Sequence, residues 1–230
     1  MSRVFEALPT NLSVTDRVFE AVQAKILSLE LVPGARLSEA DVARQFGISR
    51  QPVRDAFHRL SKLGFLVIRP QRATEVSLIS PEAILAARFL RTASEIEMAR
   101  RAARLITAPQ VKALRDLIED QKRAITTGDS DGFKTLDDAF HRTICGICGL
   151  EAVWDNIAES KAHTDRLRLL SIRDSSGEAL QDHHDILAAL EAGDADAASD
   201  RMRRHLDRIK SVLEDLRATQ SEWFTAEDRR

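Results

Sequence analysis

Apolar residues along this chain recur almost everywhere at a spacing of three or four, the period of an α-helix with one buried face. The first such run carries Phe19, Val22, Ile26 and Leu29, and either Ser13 or Thr15 can cap it by accepting a backbone N–H. Leu31-Val-Pro-Gly34 follows as a turn, Pro setting φ and Gly open to positive φ. Ser38 then caps a second helix, with Asp41 in its first turn and Leu37 and Val42 at the two staple positions. Gly47 ends it, and Ser49 caps a third helix whose Val53, Ala56, Phe57, Leu60 and Leu63 share one face. Beyond Gly64 the pattern turns extended: Phe65-Leu-Val-Ile68 and Thr74 to Leu78 are β-prone runs around a hairpin tip at Pro70-Gln-Arg-Ala73. Three helices and a two-stranded wing predict a winged helix-turn-helix over residues 14–78, behind an arm of residues 1–13 with no clear period.

Ser80-Pro81-Glu82 is a second beginning: a cap, a proline at the first helical position and an early acid. Helices are expected over 81–107, 109–127, 131–147, 150–172, 178–192 and 195–218. The breaks fall at Ala108-Pro109, Gly128 to Gly132, Gly149, Ser175-Ser-Gly177 and Gly193-Asp194. No strand pattern, glycine-rich phosphate loop or fixed repeat interrupts them. The fold class is mainly α, with the winged domain followed by an antiparallel bundle of about six helices over residues 80–220. Residues 221–230 are polar and read as a frayed end.

Composition adds bounds. A chain of 230 residues suits two domains. It has no apolar run long enough to span a membrane and no signal peptide at its start, so a cytoplasmic protein is expected. Two cysteines make no disulfide framework. Cys145-Gly-Ile-Cys148 ends a helix with no sheet nearby, and two small core residues fit it better than a redox pair. The net charge of −2 argues against a nucleic-acid partner until the chain is divided. Residues 1–77 hold 11 Lys and Arg against 8 Asp and Glu, and the remainder 23 against 28. Only the surface that meets phosphates needs to be positive.

The third helix carries Arg50, Gln51, Arg54 and His58 on its polar face. The motifs PG-x-x-L-SE-x-x-x-A and G-x-SR-x-PVR-x-A-x-x-x-L, within Thr15 to Pro70, resemble the DNA-binding domain of the GntR family of bacterial transcription regulators. The resemblance implies that this helix enters the major groove. Arg50 and Arg54, four apart near its start, are the candidates for base readout, since Arg can hold guanine O6 and N7 bidentately. Ser49 and Gln51 are candidates for phosphates or base edges beside them. The chain departs from the family at Ala40 and Asp41, where a basic residue is common, which displaces that phosphate contact to Arg44. At the wing tip Ala73 replaces the usual Gly, and Arg72 is the group left to reach the minor groove.

In the second domain Asp137 and His141 are four apart and project from one helix side by side. His183 shares a face with Ile186, Leu187 and Leu190, whereas His184 points about 100° away. His205 continues a seam with Ala198, Met202 and Ile209. His183 lies ten residues before the Gly193-Asp194 turn and His205 eleven after it, so the two come to one height. Three imidazoles and a carboxylate then converge, a set suited to Zn²⁺ or, alternatively, Ni²⁺ or another first-row ion. Six helices behind such a DNA-binding domain also resemble the FadR-type C-terminal domain (FCD), an effector-binding and dimerisation module. Its metal-holding D-x-x-x-H and two later histidines match the same four positions. Its R-x-x-x-E pair matches Arg91 and Glu95, which implies that Arg91 meets an effector carboxylate.

These readings point to a metabolite-responsive transcription factor, most simply a repressor. It is expected to bind a palindromic operator as a homodimer and to answer to a small organic acid at or near a divalent metal. A metalloenzyme using the Asp/His site is the rival, weakened by the lack of a separate acid or base at a recognisable spacing. A third possibility is a DNA-binding regulator whose metal is structural or is itself the signal.

Overall fold

The computed structural model describes residues 12–69 and 72–225, side chains at 159, 160, 162 and 169–175 excepted. The chain divides into two compact units, Met1–Ser80 with Arg217–Arg230, and Pro81–Leu216. Pro70 and Gln71 of the expected wing tip, and residues 1–11 of the expected arm, lie outside the described residues.

In the first unit α1 (Val14–Leu27) begins where Ser13 Oγ accepts the Asp16 N–H at 3.1 Å. Its buried face is Val18, Val22 and Ile26. Phe19 is instead half-buried under the Arg59 guanidinium, 4.3 Å from its ring centre, and Leu29 lies past the helix end with φ of 60°. The apolar arc is wide enough to hold Val18 and Phe19 together, and the aromatic ring is the one covered by a cation. β1 (Arg36–Leu37) leads into α2 (Glu39–Phe46), whose cap Ser38 accepts the Asp41 N–H at 3.3 Å. Gly47, at φ 65°, turns the chain in a conformation an L side chain resists, and α3 (Arg50–Lys62) follows. Val53, Ala56, Phe57 and Leu60 are fully buried on its inner face.

β2 (Leu66–Val67) and β3 (Thr74–Val76) form the wing, with Leu66 opposite Val76. The sheet has three strands rather than two, in the order β1-β3-β2, all antiparallel. The Gly34 turn sets the extra strand: Gly34 N–H donates to Val76 O at 2.9 Å, and Val76 N–H donates to Ala35 O at 2.8 Å. Two residues are too few for alternation to register in the sequence. The end of the chain does not fray as expected as far as Thr225. Ser221–Trp223 makes one tight turn, Phe224 is buried, and Ile79 bonds to Trp223 O (2.8 Å) and Thr225 N (2.9 Å).

The second unit is all helical: α4 (Pro81–Leu105), α5 (Ala108–Thr127), α6 (Ser130–Ile147), α7 (Glu151–Glu191) and α8 (Ala195–Asp207), then α9 (Ile209–Thr219), whose last residues group with the first unit. Met98, Leu114, Ile118, Phe140, Ile186 and Leu190 form its core between α4 and α8. Two boundaries differ from expectation. The helices expected over 150–172 and 178–192 are one, because Gly177 keeps an ordinary helical φ, and glycine inside a helix costs only about 1 kcal/mol. The helix expected over 195–218 is two, parted at Arg208, whose N–H reaches back to His205 O at 3.4 Å. Among the described residues no helix is long and apolar enough to cross a membrane.

Candidate metal centre and nucleic-acid interface

Asp137 and His141 project inward from α6, His183 from α7 and His205 from the last turn of α8. All four are buried, and one ligand atom from each lies within 4.8 Å of the others. His141 Nε2 and His205 Nε2 are 3.2 Å apart, and His183 Nε2 is 3.5 Å from Asp137 Oδ1. Ligand bonds of 2.0–2.1 Å give a tetrahedral zinc site edges of roughly 3.3 Å, so both spacings suit one shared ion.

The proton positions follow from the neighbours. Gln121 Nε2 donates to Leu136 O at 3.1 Å, which leaves Gln121 Oε1 as acceptor for His183 Nδ1 at 2.7 Å. His183 Nδ1 therefore carries the proton and Nε2 a bare lone pair, for which the protein supplies no hydrogen-bond donor. Glu95 Oε2 sits 2.6 Å from His141 Nδ1 and Asp182 Oδ2 3.3 Å from His205 Nδ1. The rings of His183 and His205 are each oriented by an acceptor behind them, as metal-binding histidines are, while Glu95 lies close to His141 Nδ1 without an aligned hydrogen bond. Burial, and then the facing His205, holds His183 well below the usual imidazole range. Burial also lowers His205 to about 4 although Asp182 opposes the shift. Burial pushes the Asp137 carboxyl up, but Arg168 and the histidines outweigh it and leave it well below the carboxylate range. Neutral imidazoles and an ionised carboxylate are the forms a divalent cation binds.

Beside this group lies a cavity of about 60 Å³ bordered by Arg91, Arg168, His205, Phe133 and Ile209. Its cations are already paired. Arg168 grips both Asp137 oxygens at 2.6 and 2.8 Å, Arg88 holds Asp207, and Arg208 holds Asp182. Arg91 Nε donates to Glu95 Oε1 at 2.6 Å. Arg91 borders the cavity, and Glu95, 1% exposed, is divided between Arg91 and His141. Arg168 and His183 are fifteen residues apart on α7, roughly 22 Å on a straight helix. Both reach Asp137, farther than an Arg and a His together extend, so α7 bends towards α6 within that span. The span contains Ser175-Ser-Gly177, and Gly and Ser are frequent sites of helix bending.

On the first unit, α2 and α3 carry four of the six residues expected to meet DNA, and Ser49 precedes α3 as its cap residue. Arg50 is exposed and, among the described residues, makes no ion pair; Ser49 makes no capping bond with its hydroxyl. Gln51 Nε2 donates to Asp55 Oδ1 at 2.9 Å, and Arg44 pairs with Asp41 at 3.0 Å. Arg54 is bound by Glu39 of α2, through Nε at 3.3 and 3.4 Å and a terminal nitrogen at 3.2 Å. Arg72 is exposed on the wing.

Sequence reasoning passed over Gln121, Asp182, Arg168 and Glu39. Asp182 adjoins His183 and could have been suspected. Gln121 and Arg168 carry no signal along the chain, because their partners are 62 and 31 residues away.

A family model described as "Bacterial regulatory proteins, gntR family" matches residues 14–76, and the FCD domain model matches residues 88–208. The HTH-type transcriptional repressor RspR of Escherichia coli K12 is 37% identical over 93% of this chain and 95% of its own. The gluconate operon transcriptional repressor of Bacillus subtilis is 27% identical over 87% of this chain and 85% of its own. The solved structure of Escherichia coli McbR/YncC has a TM-score of 0.73 at 22% identity, covering 89% of this chain and 98% of that one, a likeness of fold.

Proposed function

This chain belongs to the GntR family of bacterial regulatory proteins and carries an FCD domain, and from that premise we propose that it is a metabolite-responsive repressor with a metal in its second domain. Its work is done in the cytoplasm, where DNA and metabolites meet. The observation that carries the reading is the convergence of three imidazoles and Asp137 beside a cavity that Arg91 borders. Three nitrogens and one oxygen favour Zn²⁺, with Ni²⁺ or another first-row ion compatible. Bound there, the ion would supply a positive charge to which a small carboxylate can bind, and Arg91 would offer that carboxylate the N–H groups that Glu95 does not take. On the first unit Arg50 and Arg54 read base edges, Ser49, Gln51 and Arg44 meet the backbone or neighbouring bases, and Arg72 reaches the minor groove. A homodimer sets two α3 helices on the halves of a palindromic operator. The acid acts by binding the DNA-competent and DNA-incompetent arrangements with different affinity.

A second reading has one observation in its favour. Four protein ligands make the closed complement of a structural zinc site, and Arg168 already holds Asp137 bidentately. One titration separates the two. Operator binding is followed for metal-loaded and chelated protein, with and without a panel of small organic acids. A responsive regulator loses operator affinity when an acid is added to the metal-loaded form. A metal that is structural, or itself the signal, shows as a response to chelation alone with every acid inert. The metalloenzyme reading falls with the family, whose named relatives are regulators.

A further inference from the structure

Arg54 differs from the other candidate DNA contacts in what holds it. Its guanidinium is anchored across the helix-turn-helix by a carboxylate fifteen residues earlier, at the first position of α2. Gln51 and Arg44 are tied only to acids on their own helices, and Arg50 to none among the described residues. A guanidinium presents its five N–H groups along distinct edges of one plane. Glu39 takes the edge formed by Nε and one terminal nitrogen. The edge between the two terminal nitrogens is left facing away from Glu39, and its parallel N–H pair matches O6 and N7 of guanine. The Arg54 side chain remains 51% exposed, and that of Glu39 29%.

A carboxylate at this place works against binding in general. The surface around α3 must approach phosphates, and a negative charge there weakens attraction to every duplex equally. What it returns is order: an exposed arginine samples many rotamers, and a fork held on one edge loses less freedom when the other edge binds. The two effects act on different quantities. The charge lowers affinity for all sequences, whereas the anchoring raises discrimination between them.

We propose that Glu39 is a positioning residue for base readout, holding the Arg54 fork so that its free terminal edge meets guanine end-on; this rests on the reading that Arg54 contacts a base. Glu39 sharpens sequence choice at the expense of overall affinity. Removing its charge makes the protein bind DNA more readily and read it less well.

The test uses the full chain and an operator selected from random duplexes with the wild-type protein. Affinity for that operator and for a scrambled duplex is measured at one salt concentration, for wild type, Glu39→Gln, Glu39→Asp and Arg54→Ala. Thermal melts are recorded alongside. In Glu39→Gln, scrambled-duplex affinity is expected to hold or rise while the specific-to-scrambled ratio falls roughly tenfold, within the range for one bidentate contact. The loss should centre on the base pair that Arg54→Ala ceases to sense. Glu39→Asp keeps the charge on a shorter arm and should fall between. If Glu39→Gln strengthens both duplexes equally, Glu39 is only an electrostatic brake and the proposal fails. If it weakens both together with a lower melting temperature, the residue is merely structural and the proposal also fails. Arg54→Ala that still discriminates normally overturns the underlying reading. Loss of discrimination in Arg54→Ala but not in Glu39→Gln overturns only the role of Glu39.

Discussion

His141 Nε2 and His205 Nε2 stand 3.2 Å apart, and each ring has an acidic oxygen at its other nitrogen, Glu95 for one and Asp182 for the other. The two Nε2 atoms face each other in a buried space, where a shared cation can be held by both. Zinc added to chelated protein should therefore raise its melting temperature. At 100 times the dissociation constant the gain is about 2.7 kcal/mol, roughly 5–10 °C for a chain of this size. A scanning calorimetry trace unmoved by zinc, nickel and cobalt would count against the site.

Gln121 is not among the four candidate metal ligands, yet it selects the tautomer of His183. Gln121→Leu should weaken metal affinity roughly 10–100-fold while the apo fold persists, the usual scale for a partner one layer behind a ligand. Competition against a fluorescent chelator measures this. Unchanged affinity would mean that the ring is oriented by packing against Phe140 instead, whose ring centre is 4.3 Å away.

Arg54→Ala should cost about 1–3 kcal/mol of discrimination at one base pair of each half-site. Metal binding in the second domain should be untouched. A footprint on the wild-type operator at normal affinity would remove Arg54 from the reading surface.

The last turn of the chain is structural as far as Thr225. Phe224 is 7% exposed and follows the carbonyl that receives the Ile79 N–H. Phe224→Ala should destabilise the unit it belongs to by about 3 kcal/mol, the low end for a buried aromatic. Chemical denaturation reads this directly, and a change under about 1 kcal/mol would mean that the segment is a loose attachment.

Cys145 is 1% exposed with Sγ 2.9 Å from Met98 Sδ, and burial pushes its thiol up to about 12. Thiolate is the reactive form, so at pH 8 the native protein should alkylate at Cys148 well before Cys145. Mass spectrometry after brief iodoacetamide treatment distinguishes the two. Rapid labelling of Cys145 would mean that the helix end opens.

Much of this was legible from periodicity. The cap Ser38 and the turn at Gly47 depend on neighbours within four residues and are where the residue types place them, and Ser13 is the one of two candidate caps that starts α1. The convergence of His183 and His205 was also readable, because a short turn fixes how two helices align. Local signals failed where a nonlocal contact outweighed them. Ser175-Ser-Gly177 reads as a break, but α7 continues through it. β1 exists only because β3, some forty residues on, gives it a partner.

The sequence by itself determined the helical repeat, the winged domain, the family and the four candidate ligands, since these rest on residue identity at fixed spacing. Tertiary structure alone decided how those residues are held. Gln121 sets the proton on His183, Arg168 clasps Asp137, and Glu39 fixes the fork of Arg54. Each of those partners lies on a different helix from the residue it controls. A spacing of three or four records which side chains share a face, but not which face of another helix will meet them.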